Sequence, residues 1–337
     1  MKSEREYIFF QVKPSGDTAI IPDLESALSI TRNDEGFLYI IFVNPERNVF
    51  NLMAEPLGLH PLSIEDCLDE EQIPKIDLFE TNSFILVNKF TYMDDSLFID
   101  EVNLFIGGKF ILVSVRDPHY GERFIDFLKS FPRKNLNPGE ANDLYLKTII
   151  DYIVDDKFKV IDDIGERLND IEETIINNTN NFVPASLISI RHDILKLRKS
   201  IVYERELVFK ICRGDSKFIS GGMIPHFRDI YDHLSKLYEE LEIHREMTSG
   251  FLEIYRSMMN YNISLNADRT NRVIRRLTLI TTIFMPLTFF TGMFGMSEWS
   301  MMTGPDRWRI TYPVFLLLMV IIALINYFIL KRAGRKK

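Results

Sequence analysis

Asn271, Ile274, Thr278, Thr281, Met285, Thr288 and Gly292 follow one another at spacings of three or four, which places them on one face of a helix. Hydroxyls, an amide and small residues on one face can line a wet path for ions. The same small residues also let helices pack closely. The neighbouring Leu279, Ile283, Phe284, Leu287 and Phe290 are bulky and apolar. Composition alone leaves the two readings level. A second group is acidic. Asp155, Asp156, Asp162, Asp163, Glu166, Asp170, Glu172 and Glu173 crowd one helical stretch, and Glu65 and Asp66 adjoin in another. The ordinary role of such acids is a solvated helix face. His226, Asp229 and His233 lie at i, i+3 and i+7, a spacing compatible with a transition-metal site, although a surface or core histidine is the commoner case.

The stripe of small and polar residues lies in an unusual setting. Leu277 to Ser297 contains no charged side chain over 21 positions, and Ile310 to Leu330 contains none over another 21, with 12 residues between them. A hydrocarbon core of ~30 Å takes ~20 helical residues, so the sequence predicts two membrane spans. Arg269, Arg272, Arg275 and Arg276 precede the first; Lys331, Arg332, Arg335, Lys336 and Lys337 follow the second. The excess of basic residues on these flanks puts both ends in the cytoplasm and the intervening loop outside. No apolar segment of signal-peptide type opens the chain.

Charge separates the 337 residues into two parts. From Arg269 onward there are 11 Lys/Arg against two acids, leaving 29 basic and 46 acidic residues before it, a net of −17 there and +9 after it. An acidic body of this kind is not built to grip phosphate backbones, so no nucleic-acid partner is expected. Cys67 and Cys212 are the only cysteines, which disfavours a disulfide framework or a cysteine-based zinc site.

Strand-like runs at Tyr7–Val12, Phe37–Val43, Phe84–Tyr92, Val102–Ile106 and Phe110–Val115, the last two joined by Gly107-Gly108, predict an α/β domain over residues 1–142. Helices are expected at Pro61–Leu68 and Gly121–Phe131. A helical stalk follows over 143–270. It comprises Asp143–Asn178, then a returning helix with Leu187, Ile190, Ile194, Leu197 and Ile201 on one face, then a helix from about Phe227 to Met296. That last helix would run ~105 Å at 1.5 Å per residue. Its stripe of Ile230, Leu234, Leu237 and Leu241 calls for partners, which suggests a parallel bundle of identical copies. The first transmembrane helix (271–297), an external loop (298–309), the second transmembrane helix (310–330) and a basic tail (331–337) complete the chain. A membrane-anchored enzyme or receptor is the alternative of a different class, but no GxSxG, HExxH, Walker A or dinucleotide fingerprint supports it.

Thr281–Ser297, TTIFMPLTFFTGMFGMS, resembles the pore helix of the CorA family of divalent metal-ion transporters, whose signature ends in GMN. His60–Glu80, HPLSIEDCLDEEQIPKIDLFE, then IIDYIVDDKF from Ile149 and PHFRDIYDH from Pro225 resemble segments of that family in the same order. The resemblance implies a CorA-like homopentameric funnel in the plasma membrane of a prokaryotic cell, with α/β cytoplasmic domains and a helical stalk. It implies Mg²⁺ both as transported ion and as cytoplasmic regulator, and no organic cofactor or enzymatic activity. Zn²⁺, Co²⁺ or Ni²⁺ are the alternative cargo. Asn271, Ile274, Leu277, Thr278, Thr281, Met285, Thr288 and Gly292 would face the conduit, with Ile274, Leu277 and Met285 as apolar constrictions. Glu65, Asp66, Asp151 and Asp229 would bind metal between subunits. Gly295, Met296, Ser297 and Glu298 form the entrance, where Ser297 replaces the family's asparagine.

Overall fold

In the computed structural model the described residues are 7–13, 18–33, 36–69, 72–93, 96–117, 138–179, 181–295 and 307–333. The chain divides into two compact units, Met1–Ile254 and Tyr255–Lys337. The first is built on a seven-stranded sheet of β1 (Tyr7–Val12), β2 (Thr18–Ile21), β3 (Phe37–Val43), β4 (Lys75–Leu78), β5 (Asn82–Met93), β6 (Ser96–Gly107) and β7 (Phe110–Val115). Their order is β2-β1-β3-β7-β6-β5-β4. β3 and β7 are parallel, with Leu38 opposite Phe110 and Val43 opposite Val115; the other neighbours are antiparallel. The Gly107-Gly108 hairpin forms as predicted, and a Cβ on Gly107 would collide with the Phe110 ring.

The continuous apolar runs of β3 and β7 have a direct cause: these strands are covered on both faces. Leu38, Ile40 and Phe42 point to one side. There they join Phe84, Leu86, Phe105 and Leu112 of the sheet, and Phe50, Met53, Ile64 and Cys67 of α2 (Arg47–Leu57) and α3 (Pro61–Leu68). α1 (Leu24–Asn33) adds Ala27 to the same core. On the other side Tyr39 meets Tyr145 of α4 (Pro138–Asn177), ring centroids 4.1 Å apart.

α4 is followed by α5 (Pro184–Cys212) and then by α6 (Ile224–Phe294), a helix of 71 residues. The α5 stripe predicted from sequence, Leu187 to Ile201, is buried at every position. So are Ile230, Leu234, Leu237 and Leu241 of α6. This corrects the reasoning drawn from that stripe: it is covered within one copy of the chain, so it does not itself require other copies. The expected helix Gly121–Phe131 lies outside the described residues.

One ion pair ties α4 to α5 in the interior. Lys157 Nζ bonds to Glu204 Oε2, with the two side chains 0% and 1% exposed. Glu204 Oε1 accepts the Asn88 backbone N–H at 2.9 Å, where β5 runs past the end of β4 and would otherwise leave an unpaired donor. Lys157 also sits 4.8 Å from the Phe90 ring centroid. Burial pushes the Lys157 ammonium below its ordinary value, and the Glu204 charge opposes that shift.

The second unit contains the remainder of α6 and α7 (Trp308–Ala333). Among the described residues, two helices are long and apolar enough to cross a membrane, within Gly221–Met293 and Arg309–Ile329. Large apolar side chains such as Ile280, Phe284, Phe289, Leu317 and Phe328 are exposed along them. A contiguous apolar surface of this kind marks contact with lipid or protein.

The buried pair makes a stability prediction. Lys157→Met alone strands the Glu204 carboxylate and should destabilise the protein by about 3–5 kcal/mol. Lys157→Met combined with Glu204→Leu should recover part of that loss, limited by the Asn88 N–H that loses its acceptor. Urea unfolding of the purified protein checks this, and a double variant no more stable than the single one contradicts it.

Candidate metal sites and a candidate pore helix

α3 owes its position to its first turn. Gly58, at φ 63°, ends α2 in the left-handed conformation, one that suits glycine. Two residues on, His60 caps α3: its Nδ1 accepts the Leu62 N–H at 3.2 Å, and its carbonyl accepts from Ser63 and Ile64. Pro61 at the first helical position has no N–H to satisfy. The His60 ring is stacked on Phe79, centroids 4.4 Å apart at 9°. α3 buries Ser63, Ile64 and Cys67, which turns Glu65 outward and leaves Asp66 half-buried.

Glu65 and Asp66 share a concavity of about 520 Å³ with Asp69, Asp77 and Lys75. Lys75 Nζ is 2.6 Å from Asp66 and 3.3 Å from Asp77. Partial burial works against its charge, but the Asp66 hydrogen bond and the Asp77 and Asp66 charges outweigh burial and raise its pKa. The ammonium therefore neutralises part of an acidic hollow. A cation reaching Asp66 has to compete with it.

Asp151 occupies a different place. It pairs with Lys147 one turn earlier on α4. Asp151, Asp155 and His233 have ligand atoms within 4.8 Å of one another. Two carboxylates at i and i+4 on α4 thus meet an imidazole from α6. Burial raises the Asp155 pKa, the Asp151 charge raises it further, and His233 and Lys147 pull it down. His233 presents an edge to Phe158, centroids 6.0 Å apart at 84°, and its Nδ1 is buried without a hydrogen-bond partner. A mixed nitrogen and oxygen set of this kind suits Co²⁺, Ni²⁺ or Zn²⁺ better than Mg²⁺. Among the described residues this is the one such group within a single copy. Glu65, Asp66 and Asp229 do not join it; Asp229 and His226 are exposed on α6. The predicted His226–Asp229–His233 constellation is therefore divided, with only His233 facing α4. Asp155 was missed as a ligand because its spacing from Asp151 is also that of an ordinary helix face.

On the membrane part of α6, Asn271, Ile274, Leu277, Thr278, Thr281, Met285, Thr288 and Gly292 are all exposed, whereas Leu279, Thr282, Ile283, Pro286, Leu287 and Phe290 are half-buried. Thr278, Thr281 and Thr288 donate their hydroxyls to the carbonyls of Ile274, Leu277 and Phe284 at 2.8–2.9 Å. With the donor spent on the helix, each hydroxyl oxygen keeps acceptor lone pairs. Gly295 N–H donates to the Thr291 carbonyl at 2.9 Å. Met296, Ser297 and Glu298 lie outside the described residues.

Residues 34–332 match the family of CorA-like Mg²⁺ transporter proteins. The chain belongs to that family. The cobalt/magnesium transport protein CorA of Thermotoga maritima is 32% identical over 287 residues, 82% of this chain and 77% of that protein. The YfjQ protein of Bacillus subtilis is 32% identical over 278 residues, 80% of this chain and 81% of that protein. The complete CorA magnesium transporter of Methanocaldococcus jannaschii superposes with a TM-score of 0.69 at 18% identity, covering 97% of this chain and 98% of that one. The CorA fold thus accounts for the sheet, the long helix and the two C-terminal apolar helices. Divalent-cation transport is the business of this family.

The Asp151–Asp155–His233 group should bind Co²⁺ with visible absorption characteristic of mixed nitrogen and oxygen ligation. Acidification should weaken binding, because imidazole must be neutral and carboxylate ionised to ligate. His233→Ala should lose the spectrum, while Asp229→Ala should keep it. An identical spectrum in His233→Ala removes the histidine from the site.

Proposed function

We propose that the protein is a channel for divalent cations, Mg²⁺ foremost, formed by five identical copies whose α6 helices line the pore and whose α7 helices surround them. Two spans per chain enclose no conduit, so copies must cooperate. The observation that carries the reading is the exposed stripe from Asn271 to Gly292, opposite the half-buried positions of the same helix. Exposed apolar side chains outside the predicted spans, Ile243 and Ile254 in the first unit and Tyr261 and Leu265 in the second, are further surface for other copies to cover.

Each residue type on the stripe has a role in this reading. Rings of Ile274, Leu277 and Met285 close the conduit by dewetting when the helices draw together. Rings of Thr278, Thr281 and Thr288 offer oxygen acceptors to the water shell of the passing ion. This suits Mg²⁺, which sheds water reluctantly. The ring of Ser297, on shorter stems than asparagine, holds a hydrated ion less firmly at the outer mouth. An inside-negative membrane potential drives entry: at ~2.3 kcal/mol per charge per 100 mV, a divalent ion gains about 4.6 kcal/mol. No ATP-coupling motif is needed.

Glu65, Asp66, Asp151 and Asp229 serve in this reading as cytoplasmic sensors between copies. Mg²⁺ bound there cancels repulsion among acidic bodies and favours the closed arrangement. A ligand shifts such an equilibrium only by its differential affinity for the two states. The outward position of Glu65 and the exposure of Asp229 are what ligands supplied to a neighbouring copy require.

Flux into liposomes containing the purified protein tests the proposal. Mg²⁺ should enter, and Leu277→Ser should raise resting flux by wetting a constriction, whereas Leu279→Ser should not. Ser297→Asn should lower the external Mg²⁺ concentration at half-saturation. Equal effects of Leu277→Ser and Leu279→Ser would place the conduit on another face.

A further inference from the structure

In the second unit, charge is concentrated at one end of the two apolar runs. From Tyr255 to Arg276, α6 carries Arg256, Arg269, Arg272, Arg275 and Arg276 against a single acid, Asp268. The charge-free run starts at the next residue, Leu277. Lys331 and Arg332 lie in the last turn of α7, and no acid follows Asp306. Two consecutive spans reverse direction, so the start of the first run and the end of the second belong to the same membrane face.

Little within the chain offsets these cations. Asp268 is engaged by Arg272 at 3.0 Å. Arg269, Arg276 and Arg332 are exposed and form no ion pair among the described residues. Like charges three and four residues apart on a helix repel, so Arg269, Arg272 and Arg276 gain nothing from one another. Lys331 Nζ lies 5.8 Å from the Tyr327 ring centroid, one turn earlier. A lysine stem laid along a tyrosine at the end of a span carries its ammonium to headgroup depth.

The ridge faces away from the stripe of small and polar residues. At ~100° per residue, Arg269, Arg272 and Arg276 share one face of α6, roughly opposite Asn271, Ile274 and Thr278. Leu279, Ile283 and Leu287, half-buried, continue the arginine face. Beside it stand Val273 and Ile280, 64% and 55% exposed, and on α7 Phe328, 62% exposed, precedes Arg332 by one turn. Cations at the edge of the hydrocarbon with exposed apolar side chains next to them match a molecule that is anionic at one end and apolar at the other.

We infer that Arg269, Arg276, Lys331 and Arg332 form a binding surface for anionic phospholipid. The headgroup phosphate meets the cations, and the acyl chains lie along Val273, Ile280 and Phe328. Bound there, the lipid relieves the repulsion among the arginines and steadies the second unit. Passage of ions plays no part in this contact.

Native mass spectrometry of the full-length protein in detergent, titrated with phosphatidylglycerol or phosphatidylcholine of identical acyl chains, reads bound lipid directly. Phosphatidylglycerol should bind about fivefold or more tightly than phosphatidylcholine, the factor that one basic residue near an anionic surface supplies. Higher ionic strength should narrow the preference in the unaltered protein. Arg269→Gln/Arg276→Gln/Arg332→Gln, which alters exposed positions only, should bind the two lipids alike. Inorganic phosphate, lacking acyl chains, should not displace phosphatidylglycerol at equal concentration. Equal binding of the two lipids by the unaltered protein would overturn the inference. So would a preference that survives in the triple variant, or displacement of the lipid by inorganic phosphate.

Discussion

A helix in hydrocarbon must satisfy its own backbone, because no water is there to do so. From that constraint comes the unbroken helix to Phe294, and the cost of charge in hydrocarbon accounts for the charge-free run beginning at Leu277. Even Pro286 is accommodated without a break in the helix. The same constraint leaves threonine as the economical polar residue. Its hydroxyl bonds back to the carbonyl one turn earlier and still offers an oxygen outward. A stripe of such residues on an apolar helix suits either close packing against another helix or a shared wet interior. The proposed assembly of copies takes the second of these.

The chemistry of the first unit rests on a different device, the pairing of buried charge. Lys157 and Glu204 are costly to bury, and singly neither belongs in a core. Together they join α4 to α5 and satisfy the edge of β5 at Asn88. The helix carrying Lys157 also carries Asp151 and Asp155 on its outer turns. Rigidity of α4 is therefore a condition for the Asp151–Asp155–His233 group, whose third member comes from another helix.

The sequence was most legible where periodicity is unbroken. β1, β3 and β7 occupy the residues read from their apolar runs, and α3 begins at the proline that suits a first turn. β2 and β4, four residues each, are too short to show alternation, and α2 carries Pro56, a residue that ordinarily interrupts a helix. The stripe on α6 was visible as spacing, but spacing could not say whether Ile230 to Leu241 would be covered by the same chain or by another. The sites were less legible still. Nothing in one sequence pairs Asp155 with His233. That pairing depends on helices distant along the chain, and the role of Glu65, Asp66 and Asp229 as ligands between copies was implied by family resemblance alone.

Thiol accessibility along α6 examines the pore face directly. With Cys67→Ala and Cys212→Ser removing the native thiols, single cysteines are placed at Thr281, Thr288 and Gly292 on the stripe and at Ile283, Leu287 and Phe290 off it. A membrane-impermeant charged thiol reagent is applied to the reconstituted protein under conditions that open it. The account predicts modification at the three stripe positions, accompanied by loss of Mg²⁺ flux, and none at the other three. Equal modification of both sets, or modification confined to Ile283, Leu287 and Phe290, would contradict it.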